Sequence, residues 1–179
     1  MRSVVVYESM FGNTHLIAQA IASELGPPEE VFVVPADEAS APLVEGARLV
    51  VVGGPTHAHS MSRASTRQAA IDAARKSPGD LDLDPAATGL GLRDWLGSLG
   101  EFTGKAAAFD TRVNGVALFT GHASKAISRE LTRHGFDLAA PPESFRVDRN
   151  NHLVGGEMER ANSWGRALAR AMTVSGLSA

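Results

Sequence analysis

Six residues near the start of the chain, Ser9-Met10-Phe11-Gly12-Asn13-Thr14, put two hydroxyls, an amide and a glycine into one short stretch. The apolar run Val4-Val5-Val6 precedes them and Leu16-Ile17-Ala18 follows. The stretch is therefore expected to join a strand to the head of a helix. Such a junction suits an anion, because unpaired backbone N–H groups and the positive end of the helix dipole meet there. Gly12 permits close approach and positive φ. Ser9, Asn13 and Thr14 add side-chain groups suited to a phosphate monoester. The same residues have a simpler use, since Asn13 or Thr14 can cap the helix beside a glycine turn. The pattern is neither G-x-x-x-x-G-K-[ST] nor G-x-G-x-x-G.

Two further stretches follow apolar runs in the same way. Gly53-Gly54-Pro55-Thr56-His57-Ala58-His59-Ser60-Met61 comes after Leu49-Val50-Val51-Val52, and Asp110-Thr111-Arg112-Val113-Asn114 comes after Lys105 to Phe109. Both are expected to be loops. His57 and His59 have the spacing of a metal-binding pair, but no cysteine or acidic group stands beside them to complete a site. A solvated pair is the expectation. Asp80-x-Asp82-x-Asp84 resembles the start of a calcium loop without its glycine and distant Glu, and is expected to be a solvated acidic loop. Arg112 is open to two readings, a surface charge or a cation with a function. Neither G-x-S-x-G nor H-E-x-x-H occurs. Gly121-His122-Ala123-Ser124 is expected to begin a helix, and Trp95 and Trp164 to pack in the core.

The elements that must carry these stretches alternate in type. Val4–Val6, Val31–Val34, Leu49–Val52 and Lys105–Phe109 read as strands, and Phe136 to Val147 as mostly extended, broken by Pro141-Pro142. Helical spacing is found over Thr14–Leu25, Ser65–Arg75, Leu92–Leu99, Ser124–His134 and Glu157–Met172. A short connection joins the second and third strands. Lys76 to Gly89 is rich in Pro, Gly and Asp and reads as irregular; with the helix after it, residues 76–100 form an insertion before the fourth strand. Asn114–Phe119 is open between strand and loop. Strands alternating with helices imply a parallel sheet between two helical layers, with ligands at the C-terminal ends of the strands.

Composition narrows the function classes. Hydrophobic residues make up 44% and charged residues 21% of 179 residues, which suits one globular domain spanning residues 1–179. The net charge of −3 is unlike the basic footprint of a nucleic-acid binder. The absence of cysteine excludes disulfides, thiolate metal sites and thiol redox chemistry. No signal-peptide core or membrane span is discerned, so a cytoplasmic protein is expected.

Ser9-Met10-Phe11-Gly12-Asn13-Thr14 with the helix Leu16-Ile17-Ala18 resembles the FMN-phosphate loop of flavodoxins, [ST]-x-[ST]-G-x-T, with Phe11 in place of the second hydroxyl. The resemblance extends over nearly the whole chain in element order. It implies a three-layer α/β/α flavodoxin-like fold of the short-chain type, with a five-stranded parallel sheet in the order 2-1-3-4-5. It also implies FMN as cofactor. Ser9, Met10, Phe11, Gly12, Asn13 and Thr14 would face the phosphate. Pro55, Thr56, His57 and Ala58 would lie against the ring, with Met61 as a soft contact, and Asp110, Thr111 and Arg112 would meet its pyrimidine edge. The Trp or Tyr that many flavodoxins stack on the ring is missing here. Arg112 at that edge would favour the anionic reduced flavin, the opposite of acidic flavodoxins. The implied function is electron transfer to a redox partner protein or small-molecule acceptor. Two alternatives stand beside it: an NAD(P)H-dependent quinone or nitro-compound reductase on the same fold, and a flavodoxin-like interaction or regulatory module without FMN.

Overall fold

The computed structural model describes residues 2–57, 59–76, 81–115 and 121–175. Strand β1 (Ser3–Tyr7) runs through the middle of the molecule, with all five residues buried. Its run of valines has no polar face because both faces are covered, as a parallel sheet between helices requires. β1 pairs in parallel with β2 (Val31–Pro35) on one edge and with β3 (Leu49–His57) on the other. The two-residue β4 (Ser60–Met61) turns back antiparallel on the end of β3. β3 then pairs in parallel with β5 (Lys105–Val113). The far edge of β5 takes two short parallel strands, β6 (Asp137–Leu138) and β7 (Glu143–Val147). Pro141-Pro142 lies between them and supplies no N–H for a ladder, which accounts for a last strand in two pieces. The order is β2-β1-β3-β5 with β6 and β7 sharing the edge, and this is the expected fold.

One helical layer consists of α1 (Asn13–Ala22) and α6 (Glu157–Ser175). Ile17, Ile21, Ala161 and Leu168 pack there on Val5, Val51, Ala107 and Phe109. The opposite layer contains α2 (Ala41–Glu45), α4 (Leu92–Ser98) and α5 (Ala123–Arg133). Val44, Trp95, Leu96, Ile127 and Leu131 pack there on Val4, Val6, Val50, Val52, Ala106 and Ala108. Alternate residues of each strand thus supply two cores. Full burial of each valine contributes about 1.5–3 kcal/mol. Trp95 and Trp164 belong to this packing, as expected. α3 (Ala64–Lys76) contributes Ile71 to a third, smaller cluster with Met10 and Ala87.

Several boundaries differ from the sequence expectation. α1 ends at Ala22 rather than Leu25, and α2 occupies part of what was expected to be a plain connection. β3 continues through Gly53-Gly54-Pro55 to His57, and β5 continues to Val113. The two stretches expected as loops are therefore largely strand. Their extension is mutual, because Gly54 pairs with Asp110 and Pro55 with Thr111. Gly53 is required at its place: a Cβ there would come within 2.0 Å of the Phe109 ring. Residues 81–91 are irregular apart from turns, as expected. Residues 77–80, which include Asp80, and residues 116–119 of the ambiguous stretch lie outside the described residues.

Candidate functional site

β1 delivers the chain into the loop at Glu8, whose N–H donates to the Gly53 carbonyl at 2.9 Å. The loop then turns on Gly12, which has φ 87 and stands at the head of α1. Ser9 Oγ accepts the Gly12 N–H at 3.0 Å. Neither Asn13 nor Thr14 caps the helix. Thr14 Oγ1 shares a hydrogen bond of 2.7 Å with Thr111 Oγ1, and Asn13 Nδ2 donates to the Asn151 carbonyl at 2.8 Å and to its Oδ1 at 3.2 Å. The first N–H groups of any helix lack intrahelical partners. Here those of Asn13 and Thr14, and the N–H groups of Met10 and Phe11 in the loop before them, meet no acceptor among the described residues. Capping, the simpler reading of this loop, is thus not how its side chains are used.

These residues line a cleft of about 200 Å³ at the C-terminal ends of the strands. Ser9, Met10, Phe11, Asn13 and Thr14 line it from the first loop and the head of α1, Pro55, Thr56 and His57 from β3, and Thr111 and Arg112 from β5. Gly12 does not line the cleft itself; it sets the turn that places its neighbours. Ala58 lies outside the described residues. A roomier hollow, about 610 Å³, lies near Glu45, Glu101, Phe102 and Arg133. It adjoins the C-terminal end of α5, where the helix dipole disfavours an anion.

Three residues missed by sequence reasoning also line the cleft: Val113, Val147 and Asn151. Asn151 has φ 61, a conformation that asparagine tolerates better than most residues. It sits in a tight turn in which Asp148 Oδ1 accepts the N–H groups of Asn150 and His152, both at 2.9 Å. The Asp-Arg-Asn-Asn run signals such a turn; its contact with Asn13 has no sequence signal.

Two expected site residues lie elsewhere. Asp110 is fully buried, and its Oδ2 accepts the Ser124 N–H at 2.7 Å at the head of α5. It serves that helix rather than the cleft. Met61 is buried in the core on the α5 side. Thr56 has a double position, since it lines the cleft while its Oγ1 accepts the Ala123 N–H at 2.9 Å. His57 is half-buried, and burial lowers its pKa below the ordinary value while nearby Glu8 pulls the other way. Glu8 itself is buried and caps α4, its Oε2 accepting the Leu92 N–H at 2.7 Å. Arg112 is 6% exposed and its Nη1 donates to the Gly115 carbonyl at 3.3 Å.

The insertion braces the first loop from outside. Leu83 and Ala87 pack on Met10, and the Asp84 N–H donates to the Met10 carbonyl at 2.9 Å. Asp84 Oδ2 lies 3.2 Å from His15 Nδ1, and the His15 ring stacks on Tyr7 with centroids 4.4 Å apart. Burial, and then Asp84, Glu38 and Asp37, push the Tyr7 phenol up to about 12, so it stays protonated. Tyr7 is turned to His15 and does not line the cleft. Asp84 is thus a structural anchor rather than part of a solvated acidic loop. Among the described residues no three His, Asp or Glu side chains converge as metal ligands would. No helix among them is long and apolar enough to cross a membrane.

No family model matches the sequence, and no curated protein sequence matches it. Solved structures match its fold. A flavodoxin from the domain Archaea superimposes with a TM-score of 0.63 at 16% identity, over 97% of this chain and 99% of its own. Oxidised flavodoxin 2 from Bacillus cereus gives 0.66 at 18% identity, over 95% and 99%. Rubredoxin oxygen:oxidoreductase from Desulfovibrio gigas gives 0.57 at 20% identity, over 97% of this chain and 36% of that one. The chain has the flavodoxin-like fold along nearly its full length.

Proposed function

We propose that this protein binds FMN in the cleft and works as an electron-transfer flavoprotein. The observation that carries the proposal is the set of unpartnered N–H groups at Met10, Phe11, Asn13 and Thr14. A phosphate brings several acceptor oxygens and negative charge, and the head of α1 offers donors and a favourable dipole. No lysine or arginine stands in the loop, so recognition would rest on backbone dipoles held in place by Ser9, Thr14 and Asn13. The ring would lie along Pro55, Thr56, His57, Thr111 and Arg112. When bound, FMN supplies the redox chemistry, and the protein positions and tunes it. Electrons would pass to a partner protein or a small acceptor.

The test is a fluorescence titration of the flavin-free protein with FMN and with riboflavin. FMN should bind at least about tenfold more tightly, ~1.4 kcal/mol. Equal affinities would remove the phosphate from the head of α1, and no binding of either would favour a module without flavin.

One observation favours a second reading, an NAD(P)H-dependent reductase of quinones or nitro compounds. No Tyr or Trp lines the cleft: the Trp95 indole donates to the Ala39 carbonyl at 2.7 Å, Trp164 packs on Phe109 and Phe145, and Tyr7 stacks on His15. A ring face left uncovered has room for a planar co-substrate. NAD(P)H oxidation that depends on added quinone would select this reading over a one-electron carrier.

A further inference from the structure

The cleft has positive character at two separate places. One is the head of α1. The other is Arg112, on the opposite face of β5 from Thr111 and in register with Arg146 of β7. Among the described lining residues Arg112 is the only Arg, Lys, Asp or Glu, and burial lowers the pKa of His57, the one lining histidine among them. Among the described residues no carboxylate lines the cleft. The two buried carboxylates behind its walls, Glu8 and Asp110, each give an oxygen to the N–H at the head of a helix.

A ligand held at the α1 end by its phosphate shares the cleft with Arg112. Apart from the phosphate, FMN acquires negative charge on reduction. Two electrons and one proton turn the neutral ring into an anion whose charge rests on N1 and the C2 oxygen. A buried guanidinium interacts with that charge far more strongly than it would in water.

We infer that Arg112 makes the cleft bind the reduced, anionic flavin at least as tightly as the oxidised, neutral one. The inference rests on the FMN reading. It has a direct consequence: the two-electron midpoint potential of the bound cofactor is not lower than that of free FMN. Donors of ordinary biological potential can then reduce it fully, and the acceptors it serves are those that take electron pairs at moderate potential.

The experiment is a spectroscopic midpoint determination, with dithionite as the electron source, on the FMN-loaded protein and on Arg112→Gln and Arg112→Lys. The expected result for the unaltered protein is a midpoint at or above that of free FMN measured in the same buffer. Arg112→Gln should weaken binding of the reduced flavin about tenfold more than of the oxidised flavin, which lowers the midpoint by about 30 mV. Arg112→Lys should recover most of that shift. A midpoint of the unaltered protein below that of free FMN overturns the inference, whether or not the glutamine variant folds. So does an Arg112→Gln variant that binds FMN with an unchanged midpoint. Failure of the unaltered protein to bind FMN overturns the FMN reading and this inference with it.

Discussion

The two walls of the cleft are made of different material. On the α1 side the outward polar groups are backbone N–H groups, and the polar side chains are turned inward to hold the loop: Ser9 on Gly12, Thr14 on Thr111, Asn13 on Asn151. On the β3 and β5 side the cleft is lined by side chains proper, His57, Arg112 and Val113. A wall of main chain depends on the conformation at Gly12 and on those three contacts. A wall of side chains can be rewritten by one substitution without moving the backbone. The difference separates two properties of a bound flavin. The first wall should govern how tightly its phosphate is held, and the second the electronic state of its ring.

Gly12→Asp is expected to have the largest effect. A Cβ at position 12 meets no atom within 4 Å, and Asp is among the residues that tolerate positive φ. What changes most is charge. FMN affinity should fall at least about 100-fold, ~2.8 kcal/mol, while the neutral Gly12→Asn loses much less. Fluorescence titration reads both. Equal losses would mean that backbone conformation, not charge, controls this wall.

Thr111→Val comes next. It deletes the hydrogen bond to Thr14 and leaves the Thr14 hydroxyl buried without it. The cost should be about 1 kcal/mol, a five- to tenfold loss of FMN affinity. Thr111 stands on β5 but acts on the α1 wall, so riboflavin affinity should change little. An equal loss for riboflavin would place Thr111 with the ring instead.

The same contrast explains what the sequence revealed. The strand ends and the first loop were legible because Val4–Val6 and Leu49–Val52 are uninterrupted apolar runs, and because Gly12 stands where a strand meets a helical pattern. On the β3 and β5 side most lining residues were named correctly but their secondary structure was not. Gly54-Pro55 and Asp110-Thr111-Arg112 have loop composition, yet they are the paired ends of two parallel strands. Only the partner strand makes that pairing visible, since it supplies the ladder hydrogen bonds that propensity does not count. Asp110 was assigned to the cleft through the resemblance to flavodoxins, whereas the structure gives it the N–H at the head of α5. Asn151 could not be found at all, because its partner Asn13 is 138 residues away.

His57 offers a test through pH. Its pKa is lowered in the fold by burial, against an ordinary value near 6.5 in an unfolded chain. Below about pH 6.5 the unfolded state takes up the proton more readily, so stability must fall as pH falls through and below that point. Denaturant midpoints at pH 7.5 and 5.5 should show a smaller loss for His57→Gln than for the unaltered protein. Equal losses would assign the pH dependence to other groups and leave the neutrality of this wall unsupported.

Asn151→Gly is expected to have the smallest effect and divides the two walls most finely. Glycine keeps the positive φ of position 151 at no steric cost. The Asn151 carbonyl, which accepts the shorter of the two bonds from Asn13 at 2.8 Å, remains in place. Only the 3.2 Å side-chain contact is lost. FMN affinity should therefore fall by no more than about threefold. Asn151→Ala removes the same side-chain contact and adds the strain of a Cβ at φ 61, about 1 kcal/mol. It should lose more affinity than the glycine variant, and thermal unfolding should report the strain without any ligand. If instead Asn151→Gly alone costs tenfold or more, the Asn151 side chain itself meets the phosphate. The α1 wall would then no longer be one of main chain, and the division of labour between the two walls would fail at its narrowest point.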